Sequence, residues 1–119
     1  MTLPLQVVFG GTENYYPLAV SPAGSIYVRA WERFVFGNIM SSSFFILPDA
    51  TLLDIGQEFI LGTGASVTGS CAILDNGSNP VFAGLATAKM YLVVCTVNTS
   101  VNGKFKVTTV GTTKTIGPY

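Results

Sequence analysis

The stretch Met90-Tyr91-Leu92-Val93-Val94-Cys95-Thr96-Val97 is followed by Asn98-Thr99-Ser100-Val101-Asn102-Gly103 and then by Lys104-Phe105-Lys106-Val107-Thr108-Thr109-Val110. The first eight residues are almost continuously apolar and rich in β-branched side chains. A run of that length bounded by turn residues reads as a central strand of a sheet. The six residues after it are turn formers, and the last seven alternate between two faces as a half-exposed strand does. A central strand, a polar turn and a returning strand place the chain in the all-β class.

Working outward, the same alphabet recurs. Asp75-Asn76-Gly77-Ser78-Asn79-Pro80 is the strongest turn signal, and residues 81–85 form a strand after it. Before it, residues 66–74 alternate Val67, Gly69, Cys71 and Ile73 against Thr68, Ser70, Ala72 and Leu74. Residues 57–61 read as a strand that Gly62-Thr63-Gly64 ends, and residues 43–47 as a strand stopped by Pro48-Asp49. Between them, Asp49 is placed to cap one helical turn, too short to count as a helix. Residues 25–36 read as one long strand. Ile26, Val28, Ala30, Phe34 and Phe36 share one face, and Tyr27, Arg29, Trp31, Arg33 and Val35 the wetter one. Glu32 breaks the apolar face, which calls for a bulge or a covering partner. Residues 3–9 give a further strand before Gly10-Gly11. Tyr15, Tyr16, Leu18 and Val20 form a short segment among Pro17, Pro22 and Gly24, and residues 111–119 a Thr- and Gly-rich tail.

Seven to nine short strands spaced by turns, without a helical period, predict a single antiparallel β-sandwich of jelly-roll type. The 119 residues allow one domain, 1–119, with 1–11 and 111–119 as extended interface arms. Charge points the same way. Six basic and six acidic residues give a net charge of zero, and charged residues are 10% of the chain against about 25% on average. A surface so poor in charge suits a subunit of an assembly better than a lone monomer. The arms are poorest of all: residues 1–11 hold no charge and residues 111–119 only Lys114.

Several functions are disfavoured. With no basic excess, a phosphate-binding nucleic-acid surface is not expected. No apolar run approaches 18 residues, so no transmembrane helix is expected, and residues 1–6 show no basic-then-apolar signal. The chain has no histidine, the usual general base and metal ligand. Cys71 and Cys95 lie mid-strand among apolar neighbours and read as reduced core thiols, a disulfide between them being the alternative. Asp49, Asp54 and Glu58 match no calcium-loop spacing and read as turn or capping residues. No catalytic residue, metal ligand, cofactor or small-molecule substrate is predicted.

Aromatic side chains carry the remaining signal. Arg29-x-Trp31-x-Arg33 gathers residue types favoured at interface hot spots, and Tyr15, Tyr16 and Tyr119 are further candidates. Trp31 alternatively packs under a loop or serves as a sugar platform, although a platform needs polar and acidic groups that this part of the sequence lacks. From the arms, Leu3, Leu5, Val7, Phe9 and Ile116 complete the expected partner interface.

Two segments look familiar. Phe44-Phe45-Ile46-Leu47-Pro48-Asp49-Ala50-Thr51-Leu52-Leu53-Asp54-Ile55-Gly56-Gln57-Glu58-Phe59-Ile60-Leu61 resembles a pattern of tailed-bacteriophage virion proteins. In it, a strand ends in Leu-Pro-Asp-Ala-Thr and an apolar link leads through Gly to the next strand. Residues 91–107 resemble the closing hairpin of the same domains, with Phe105 where Trp is common. The resemblance covers about the C-terminal two thirds and implies a β-sandwich virion domain of capsid decoration, head-fibre or tail-fibre type. The expected function is that of a non-enzymatic decoration or cement protein. It would assemble in the host cytoplasm onto the capsid surface, as a homotrimer contacting the major capsid protein and copies of itself. The alternative is a receptor- or glycan-binding module of a head or tail fibre.

Overall fold

The computed structural model describes residues 6–9, 15–17 and 25–116. They form ten strands and one 3-10 turn. In chain order these are β1 (Gln6–Phe9), β2 (Tyr15–Pro17), β3 (Ser25–Tyr27), β4 (Phe34–Ser41), β5 (Phe44–Ile46), the 3-10 turn Ala50–Leu52, β6 (Glu58–Thr68), β7 (Ala72–Leu74), β8 (Pro80–Ala83), β9 (Lys89–Val97) and β10 (Lys104–Ile116). The all-β expectation holds. β9 is interior, as its apolar run requires, in a six-stranded sheet ordered β2-β1-β10-β9-β6-β4. A four-stranded sheet is ordered β3-β5-β7-β8.

The expected purely antiparallel pairing is corrected. Among the described residues, β4 pairs with β6, β3 with β5 and β5 with β7 in parallel, and the other five pairs are antiparallel. The cause is that each strand from β3 to β7 lies in the opposite sheet from the one before it, so the chain winds as a short coil. The crossings at residues 42–43 and 69–71 are tight and stacked. Ser42 has φ 48° and its amide donates to the Thr68 carbonyl at 2.9 Å, while Gly69 has φ 70°. That positive φ suits glycine and splits the alternation of residues 66–74 between two sheets.

Other boundaries also move. Gly62-Thr63-Gly64 does not end a strand; β6 runs through it, and Gly62 lies in register between Phe36 of β4 and Met90 of β9. With no side chain there, Phe36 and Met90 pack together on that face, joined by Phe34 and Ile60. β10 continues to Ile116 and is no tail. The segments expected to be arms meet one another: Gln6 pairs with Ile116 and Phe9 with Thr113.

Both sheets contribute to one core. Phe59, Leu61, Tyr91, Val93 and Cys95 of the larger sheet meet Phe45 and Ile73 of the smaller, with Leu47 and Leu53 from the connections. The Phe82 and Tyr91 rings lie 5.3 Å apart, tilted by 52°. Burying side chains of this size stabilises by about 1.5–3 kcal/mol each. Polar groups inside are matched. The Thr63 hydroxyl donates to the Ala86 carbonyl at 2.6 Å and accepts from the Lys89 amide at 2.9 Å, and the Thr113 hydroxyl donates to the Thr63 carbonyl. The Tyr91 hydroxyl accepts from the Ala86 amide at 2.8 Å.

Candidate functional site

The fold sends the expected interface residues to two places. Leu3, Leu5 and Tyr119 lie outside the described residues. Val7 and Phe9 are on β1, Tyr15 and Tyr16 on β2 and Ile116 at the end of β10, so the ladders bring these five positions together at one side of the larger sheet. Arg29, Trp31 and Arg33 precede β4, which forms the opposite edge of that sheet.

Arg29, Trp31 and Arg33 do not share a strand face, as the alternation suggested. β3 stops at Tyr27, and the chain turns before β4 begins at Phe34. The turn is closed twice: the Glu32 amide donates to the Arg29 carbonyl at 3.0 Å, and the Arg29 amide donates to Glu32 Oε1 at 2.9 Å. Glu32 therefore breaks the apolar face because it closes a turn, with no bulge or partner required. Trp31 projects from the turn at 78% exposure, and the Arg29 guanidinium carbon lies 5.9 Å from its ring centroid. It does not pack under a loop.

The turn forms one wall of an open groove of about 530 Å³. Asp54, Ile55, Gly56, Gln57 and Glu58 form the other wall, facing Ala30, Trp31, Glu32 and Arg33. Gln57 fixes the spacing of the two. Its Nε2 donates to the Ala30 carbonyl at 2.8 Å, and its Oε1 accepts from the Asp54 amide at 3.0 Å. The second wall is anchored to β9, where the Gly56 amide donates to the Cys95 carbonyl at 2.8 Å and the Cys95 amide to the Gln57 carbonyl at 2.9 Å. Four of the twelve charged residues, Glu32, Arg33, Asp54 and Glu58, line this groove. No local pattern could reveal that, because the walls are more than twenty residues apart in sequence.

Asp49 does cap the helical turn, accepting from the Thr51 amide at 2.9 Å and from the Thr51 hydroxyl at 2.7 Å. The turn is tied to the β9–β10 connection. The Ala50 amide donates to the Val101 carbonyl at 2.9 Å, and Asn98 Nδ2 donates to the Leu53 carbonyl at 2.8 Å. The two segments that carry the virion-protein resemblance thus lie side by side. Their tips expose Leu52 at 69%, Ile55 at 60% and Val101 at 48%. Sequence reading missed these three: Leu52 sits on a single 3-10 turn with no periodic face to read, and Ile55 and Val101 lie in connections between elements.

A smaller cavity of about 280 Å³ is lined by Asp75, Pro80, Val81, Gly103, Lys104 and Phe105. Asp75 is committed to its own turn, where Oδ1 accepts from the amides of Gly77 and Asn79 at 2.9 Å each. Cys71 and Cys95 are buried free thiols; burial pushes the Cys95 thiol up, partly offset by its hydrogen bond to the Val97 carbonyl. Among the described residues, no group of three His, Cys, Asp or Glu side chains is placed to hold a metal ion. Comparison of the chain with protein-family models, curated proteins and solved structures finds no match.

Proposed function

We propose that this chain is a structural protein of a tailed-bacteriophage virion that decorates the capsid surface. In this reading its two sheets are the layers of one sandwich. It holds neighbouring major capsid subunits and copies of itself, as a trimer, by non-covalent contact and without catalysis. The observation that carries the reading is the knob formed where the two resembling segments meet. Leu52, Ile55 and Val101 are exposed there, on a backbone fixed by the Ala50–Val101 and Asn98–Leu53 hydrogen bonds. A fixed apolar knob on a charge-poor chain gains by burial against a partner, and repetition over many copies multiplies a weak contact.

The copy number of the chain in purified particles tests this. Hundreds per virion support decoration, whereas a handful overturns it in favour of a fibre or tail part. Light scattering tests the trimer, which a clean monomer at tens of micromolar would overturn. Leu52→Asp with Val101→Asp is expected to abolish capsid binding while the isolated protein stays folded, because Leu52 is mostly exposed and Val101 about half so.

A further inference from the structure

We infer that the groove between residues 30–33 and 54–58 binds a neutral oligosaccharide. The inference does not rest on the virion reading and stands or falls separately from it. The sequence places Trp31 in a stretch with too few polar partners for a sugar platform, and the fold supplies them from the facing wall. Asp54, Glu58, Glu32 and Arg33 line the groove together with Trp31.

The parts divide the work as a saccharide requires. A pyranose has one apolar C–H face and a rim of hydroxyls. The Trp31 ring offers an exposed apolar platform carried on a doubly closed turn. Carboxylates and a guanidinium along the walls offer charge-assisted hydrogen bonds to hydroxyls, which are stronger than neutral ones. Gln57 holds the walls at their spacing through the bond from its Nε2 to the Ala30 carbonyl, while its Oε1 braces the Asp54 amide within its own wall. The volume lies within the roughly 300–1,000 Å³ usual for small-molecule sites, and the open form suits a chain that extends beyond it.

Charge selects the class. Glu32, Asp54 and Glu58 against Arg33 leave the groove negative, and it stays so when Arg29 is counted. Sialylated, sulfated and phosphorylated sugars are therefore disfavoured. A basic peptide would meet Arg33 standing in the groove itself, whereas a neutral sugar meets no like charge there.

The test is calorimetric titration of the intact protein with maltotriose, cellotriose, chitotriose and lactose, followed by a wider panel of neutral glycans, with 3′-sialyllactose as the anionic control. Trp31 is the only tryptophan, so its fluorescence reports the same event. At least one neutral glycan is expected to bind and perturb that fluorescence. Trp31→Ala should weaken it by at least about tenfold, Asp54→Asn by less, and Leu52→Asp not at all. Both groove variants alter exposed side chains, so folding is retained and is checked by circular dichroism. The inference is overturned by no binding across the neutral panel at about 10 mM, by unchanged binding in Trp31→Ala, by preference for the sialylated sugar, or by a lysine-rich peptide that binds this groove when no glycan does.

Discussion

A side chain on Gly69 would run into the hydroxyl oxygen of Ser42, because the two residues occupy stacked bends where the chain passes from one sheet to the other. Gly69 also has φ 70°, so Gly69→Ala meets both a steric clash and an unfavourable backbone. It is expected to cost about 2–4 kcal/mol, read as a lower urea midpoint. Gly56→Ala is the comparison: its φ of 86° is equally unfavourable, but nothing lies within 4 Å of the new Cβ, so about 1–2 kcal/mol is expected. Adding Ser42→Ala to Gly69→Ala removes the hydroxyl oxygen alone, so it should recover most of the steric part and leave the backbone part.

Thr63→Val keeps the shape of a fully buried side chain and deletes its hydroxyl. The Lys89 amide loses its acceptor and the Ala86 carbonyl a donor, both beside the core. A loss of about 2–3 kcal/mol is expected in chemical denaturation. Thr63→Ser, which keeps the hydroxyl, should lose about 1 kcal/mol, the value of one buried methyl.

Gln57→Ala removes the strut between the groove walls. About 1–2 kcal/mol of stability should go with the two hydrogen bonds. If the groove binds saccharide, affinity falls as well, because the walls lose their spacing. Gln57→Glu retains the acceptor for the Asp54 amide but sets a carboxylate against the Ala30 carbonyl, so it should lose at least as much as Gln57→Ala in both measurements.

Stability should decline in alkali through Cys95. Burial raises its thiol pKa in the fold, so the unfolded chain loses that proton first as pH rises. The contribution is flat below the unfolded thiol pKa of about 8.5 and becomes increasingly unfavourable above it. Urea midpoints at neutral pH and above that value, under reducing conditions, should converge more closely for Cys95→Val than for the parent chain.

Much of the fold was legible because apolar runs and turn residues act locally. Met90 to Val97 is an interior strand, as its composition suggests, although only Met90, Tyr91, Val93 and Cys95 are fully buried, and Asp49 and Asp75 make the turns their neighbours call for. Glycine was the misleading residue. Gly62 reads as a stop, but its missing side chain makes room for Phe36 and Met90 from neighbouring strands, and that requirement is invisible from its own neighbours. Gly69 reads as one beat of an alternation, yet its positive φ carries the chain into the other sheet. The groove was half legible. Trp31 was named, but Asp54, Gln57 and Glu58 join it only through the parallel pairing of β4 with β6, which local pattern does not encode.

The winding of β3 to β7 between sheets also dictates an order of assembly. A parallel pair cannot be closed by a tight turn, so each such pair waits for the strand between its members to be placed. β9 and β10 are joined by residues 98–103 alone and can zip as a hairpin with little entropic cost. That hairpin offers β9 as the template for β6, and the wound segment closes afterwards. A refolding chain halted between these events leaves the backbone of β6 and β5 unmated. Crowded refolding therefore favours wrong partners at those two strands, and slow dilution favours the native chain.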